Sequence, residues 1–159
     1  MKPLVYIETS IPSYLTARPS RDVVGAGRQQ ITLDWWKVRD RFQLFVSDAV
    51  LVEAGRGDHF AARLRLQALD GIPILAPNLE AEDLTIALLR EAGLPAKAEV
   101  DAGHIAIAAV HGMEYLLTWN CRHIANVMLR PQIEAVCRDR GFLPPLICTP
   151  EEFFFEEES

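Results

Sequence analysis

Three acids and one carboxamide stand where such groups are costly. Glu8 follows directly on the apolar run Leu4-Val5-Tyr6-Ile7, and Glu53 lies within the apolar helical stretch Ala49-Val50-Leu51-Val52-Glu53-Ala54. Asp101 opens D-A-G-H-I-A-I-A-A-V-H-G, and Asn120 closes the apolar run that follows it. A carboxylate lodged against buried elements is unfavourable unless something positive joins it. Two of them about 4 Å apart repel by about 4 kcal/mol at an effective dielectric near 20. A whole domain is stable by only about 5–15 kcal/mol. A divalent cation is therefore the chemistry to look for. Oxygen ligands with water in the open positions suit Mg2+ or Mn2+. Such an ion orients a water, lowers its pKa and stabilises charge on a phosphate. Thr9 or Ser10 could hold a water beside the ion, and Asn120 could do the same as a neutral ligand.

Convergence of these residues depends on the elements that carry them. Five short apolar runs read as strands: Leu4–Ile7, Phe42–Val46, Ile72–Leu75, Tyr115–Trp119 and Leu146–Cys148. Helical patterns fill the intervals, over about 28–40, from Ser47 or Asp48 to about Gly55, over Phe60–Leu69, from the cap Asn78 to Gly93, from about Lys97 to Gly112, and from about Ile124 to Arg140. Strand–helix alternation predicts an α/β fold with parallel strands and helices on both faces. In such sheets, ligands bind beyond the carboxyl ends of the strands, where the strand order reverses. Glu8 ends the first strand and Asn120 the fourth. Glu53 lies about two turns into the helix after the second strand. Asp101 begins the helix feeding the fourth, whose small residues let it lie close to the sheet. His104 shares a helix face with Asp101 and reads as a packed, hydrogen-bonded histidine.

The totals exclude little. The chain has 159 residues and reads as one domain over residues 1–152. The tail over 153–159, rich in Phe and Glu, reads as a mobile end. Were it ordered, its adjacent phenylalanines would dock on this chain or a partner. No apolar run approaches the roughly 20 residues that span a bilayer, so no membrane role is expected. Met1-Lys2-Pro3 runs straight into a strand, and we expect no signal peptide and a cytoplasmic location. Cys121, Cys137 and Cys148 have no C-x-x-C spacing and read as reduced thiols. The net charge is −6, but five acids lie in the last nine residues, and without them the balance is −1. Charge neither favours nor excludes a nucleic-acid substrate.

Three segments together resemble the PIN-domain ribonucleases, especially the VapC-like toxins of type II toxin–antitoxin pairs. They are Y-I-E-T-S-I at Tyr6–Ile11, S-D-A-V-L-V-E at Ser47–Glu53, and the stretch D-A-G-H-I-A to L-L-T-W-N-C-R-H-I-A-N over Asp101–Asn126. The resemblance implies a three-layer α/β/α fold with a five-stranded parallel sheet of order 3-2-1-4-5. It implies Mg2+- or Mn2+-dependent RNA cleavage by an activated water, a homodimer and an antitoxin partner. By position, its catalytic quartet falls on Glu8, Glu53, Asp101 and Asn120, with Glu8, Asp101 and Glu53 as metal ligands. The first and fourth positions are usually Asp. Asn120 carries no charge, which puts a second metal and catalytic strength in doubt. The alternative is a catalytically weakened binding module of the same fold, acting through protein or RNA contacts.

Outside the quartet, Arg18, Arg21 and Arg28 follow the first strand, and Arg122 and His123 lie just past Asn120. All could touch RNA phosphates, and all could equally be solvated charges. Trp35 and Trp36 are adjacent, so one is expected to be buried and the other to lie at the surface or a partner contact. A phosphatase of the nucleophilic-Asp kind would want Asp after strand one and again two residues on. Glu8 and Ser10 stand there instead.

Overall fold

The fold is that of a computed structural model, and it describes residues 1–153. In chain order the elements are β1 (Leu4–Ile7), α1 (Ser10–Thr16), α2 (Val23–Lys37), β2 (Gln43–Ser47), α3 (Asp48–Ala54), α4 (His59–Ala68), β3 (Ile74–Leu75), α5 (Leu79–Glu91), α6 (Glu99–Val110), β4 (Tyr115–Leu117), α7 (Arg130–Asp139) and β5 (Leu146–Cys148). All strand pairings are parallel, and the sheet order is 3-2-1-4-5. Helices cover both faces, which gives the three layers the sequence predicts. Among the described residues no helix is long and apolar enough to cross a membrane.

β1 is the central strand. Its register sets Tyr6 beside Phe45 of β2 and Leu116 of β4. Val5, Tyr6 and Ile7 have no solvent exposure, as befits a strand covered on both faces. α6 is equally buried: Ala102, Ile105, Ala106 and Ala108 are wholly enclosed. Methyl-sized side chains on successive turns bring this helix close to its neighbours, and it packs on α5 and α3. Gly112 ends it in a left-handed turn at φ 71°, where a side chain would be strained.

Caps set several boundaries. Ser47 Oγ accepts the Val50 amide at the start of α3, and Asn78 Oδ1 accepts the Ala81 amide at 2.8 Å. α2 begins earlier than its apolar pattern implies because Asp22 Oδ2 caps it through the Gly25 amide at 2.9 Å. α1 went unread in the sequence, and Pro12 sits in its first turn, where the missing amide hydrogen does no harm. α7 begins at Arg130, not near Ile124, because Asn120 and Asn126 hold residues 120–129 in turns.

One boundary needs correction. The tail was expected to leave the fold at 153, yet Phe153 is only 8% exposed. Its ring packs on Tyr115 at 4.4 Å, Phe42 at 4.7 Å and Trp35 at 6.1 Å between centroids. Residues 154–159, the rest of that expectation, lie outside the described residues. Trp35 is buried, while Trp36 is partly covered and carries the Arg39 guanidinium over its ring at 5.0 Å.

Candidate metal centre

Glu8 leaves the carboxyl end of β1 and is only 5% exposed. Its backbone amide still belongs to the sheet, donating to Leu117 O. Its Oε1 collects the Ser10 amide at 3.1 Å, the Ser10 hydroxyl, and the Thr118 hydroxyl at 2.6 Å. Both hydroxyls are aimed. Ser10 Oγ accepts the Trp119 amide at 2.7 Å, and Thr118 Oγ1 accepts the Asn120 amide at 2.9 Å. Each therefore has its one hydrogen left for Glu8.

Glu53 arrives from α3. Its Oε1 accepts the Thr9 hydroxyl at 2.8 Å and meets His104 Nε2 at 2.6 Å. The His104 ring is fully buried, and its Nδ1 lies 2.6 Å from the Tyr6 hydroxyl, itself 2.7 Å from Ser47 Oγ. Burial pushes the Glu53 carboxyl up, but the hydrogen bond and charge of His104, then Thr9 and Arg56, outweigh it and hold the group below its ordinary value. Burial raises the Tyr6 phenol well above its usual range, so its hydrogen stays on.

One ligand atom each from Glu8, Glu53 and His104 falls within 4.8 Å of the others, and this is the metal-capable cluster among the described residues. At that spacing two carboxylates repel by roughly 3 kcal/mol at an effective dielectric near 20. Among the described residues no lysine or arginine forms an ion pair with either acid. The hydrogen bonds converge on Oε1 of each, so Oε2 is the oxygen each can offer. This donor set fits a hard divalent cation.

Asp101 stands outside that cluster. Its Oδ1 accepts from Asn120 Nδ2 at 3.1 Å, and its Oδ2 lies 2.9 Å from His123 Nδ1. Asn120 Oδ1 in turn accepts the His123 amide at 3.1 Å. Asp101 still belongs to the same bonded network, through Asn120 and Thr118 to Glu8. The structure thus brings Glu8 and Glu53 together, sets the Asp101–Asn120 pair two hydrogen bonds from Glu8 through Thr118, and adds His104 of α6 to the two glutamates.

No family model matches the chain, and no curated protein does either.

Thr9 and Ser10, expected beside a metal-held water, instead spend their hydroxyls on Glu53 and Glu8. His123 reaches Asp101, while the residues Arg18, Arg21 and Arg122 are exposed and meet none of the acids. Arg28 lies over the Trp119 ring at 5.2 Å and donates to the Tyr14 hydroxyl at 3.4 Å. Sequence reasoning missed Tyr6 and Thr118, read Ser47 as a helix cap alone, and favoured a packed histidine over a catalyst at His104. Its spacing of three from Asp101 was the one signal that placed it on the site's side of α6.

Proposed function

We propose that the protein is a Mg2+- or Mn2+-dependent endoribonuclease, a hydrolase of the PIN-domain type resembling the VapC-like toxins. The observation that carries this reading is the pair Glu8 and Glu53. They are two close acids from different elements, at the carboxyl end of the central strand, and among the described residues neither forms an ion pair with a lysine or arginine. A cation bound there would supply a polarised water and stabilise charge on a phosphodiester. Glu8 and Glu53 would hold it. Ser10 and Thr118 fix the rotamer of Glu8, and Thr9 and His104 fix that of Glu53. Asp101, steadied by Asn120 and His123, faces the same network and completes the acidic set. Arg18, Arg21 and Arg122 are the exposed cations for the RNA backbone. The products are a 5′-phosphate and a 3′-hydroxyl, and a homodimer and an antitoxin protein are the partners the resemblance implies.

The test is cleavage of a panel of structured RNAs with Mn2+ present and absent. Asp101→Asn and Glu8→Gln should each abolish it. If the wild-type chain cuts nothing and binds no Mn2+ near millimolar concentration, the proposal fails.

A second reading, a binding module with weakened catalysis, draws on the state of Asp101. Both of its oxygens are already engaged, and one of its two partners, Asn120, is neutral. Asn120→Asp separates the two readings: the module reading expects cleavage only in the variant, and the enzyme reading expects it in both.

A further inference from the structure

The cluster that fits a hard cation also contains an imidazole, and two acids with one imidazole make a set that Zn2+ accepts readily. What keeps His104 from ligating is its hydrogen bonding. A neutral imidazole has one N–H and one lone pair. In that neutral form the acceptor Glu53 Oε1, 2.6 Å away, places the hydrogen of His104 on Nε2. The lone pair is then on Nδ1, where the Tyr6 hydroxyl at 2.6 Å donates to it. Tyr6 accepts from Ser47 Oγ at 2.7 Å, and Ser47 accepts the Val50 amide at 3.4 Å. With the ring neutral, every hydrogen in this buried chain then has one destination, and no lone pair of the ring is left over.

We infer that Tyr6 determines the metal selectivity of the centre: by occupying His104 Nδ1 it keeps the imidazole as a positioning residue on Glu53 and out of the coordination shell, so that Mg2+ or Mn2+ is favoured over Zn2+. The inference rests on the reading that Glu8 and Glu53 hold a divalent cation. Removing the Tyr6 hydroxyl releases Nδ1. The ring hydrogen can then move from Nε2 to Nδ1, and the Nε2 lone pair becomes available among two carboxylates. Partners of this kind around a metal ligand change affinity about 10–100-fold when removed.

The experiment compares Mn2+ binding by electron paramagnetic resonance with Zn2+ binding by chromophore competition, in the wild type, Tyr6→Phe and His104→Gln. Tyr6→Phe should shift the Zn2+-over-Mn2+ preference toward zinc by about tenfold or more. His104→Gln, which can donate to Glu53 but offers no imidazole, should show no such shift. An unchanged preference in Tyr6→Phe, with Mn2+ still bound by the wild type, overturns the inference alone. A wild type that binds no Mn2+ removes the metal reading and this inference with it. A readout independent of any variant is the 15N NMR tautomer of His104 in the metal-free wild type. Hydrogen on Nε2 supports the inference, and hydrogen on Nδ1 overturns it.

Discussion

At the scale of single residues, the centre trades stability for charge. Glu8 and Glu53 are held close by hydroxyl donors, and among the described residues neither is ion-paired to a lysine or arginine. Glu8→Gln keeps an oxygen for the Ser10 and Thr118 hydroxyls while removing one charge. The metal-free variant should therefore melt about 2–4 °C above the wild type, roughly 1 kcal/mol of relief, and should bind Mn2+ at least about 100-fold more weakly. Calorimetry without metal and a Mn2+ titration check the two halves. Glu53 makes a separate prediction. Its carboxyl titrates below its ordinary value in the folded state, so ionised Glu53 contributes stability above the unfolded value. That contribution disappears as pH falls through the folded value. Urea midpoints measured between pH 6 and pH 3 should fall more steeply for the wild type than for Glu53→Gln.

At the scale of elements, the site depends on where helices begin and stop. Gly112 ends α6 at φ 71°, and a methyl group there would meet nothing within 4 Å. Gly112→Ala is thus a pure backbone test. It should cost about 1 kcal/mol and lower the melting temperature by about 2–4 °C, with Mn2+ affinity unchanged. A larger loss would mean that α6 moves as a whole. The elements were also the most legible part of the sequence. Leu4–Ile7 and Leu146–Cys148 read as strands with the observed bounds, because short apolar runs between breakers have few other uses. The parallel arrangement followed from alternation, and with it the meeting of Glu8 and Glu53. The relay was not legible. Tyr6 between Val5 and Ile7 looks like any core aromatic, since periodicity reports burial and not the partner of a hydroxyl. His104 gives the same pattern whether it meets a carbonyl or a carboxylate. Asp101 was expected among the metal ligands, yet the side chains of Asn120 and His123 hold both its oxygens, and no spacing rule conveys that.

At the scale of the whole molecule, the far end of the sheet is closed by aromatics. Phe153 packs on Tyr115, Phe42 and Trp35, which joins the end of the described chain to β4, to the approach to β2, and to α2. Phe153→Ala should cost about 3 kcal/mol or more and lower the melting temperature by roughly 6–12 °C, without altering metal selectivity. The thiols report on the same global integrity. Burial pushes Cys137 up to about 11 and Cys148 up to about 12, while Cys121 is exposed. At pH 8 an alkylating reagent should label Cys121 at once and the other two only on unfolding. Because both buried thiols titrate higher when folded, they favour the folded state below about pH 9, and that support is lost as pH rises through 11 to 12.

The position of β1 carries a further consequence, for synthesis. Of the five described strands this middle one leaves the ribosome before the others, yet the Thr118 hydroxyl that steadies Glu8 is encoded 110 residues later. Pairings so distant along the chain form slowly, and a nascent polypeptide arrested before Tyr115 has only one flank of its sheet to zip. The Thr118 bond that steadies Glu8 thus forms only once β4 has emerged, and a chain cut short before Tyr115 would leave that carboxylate without it.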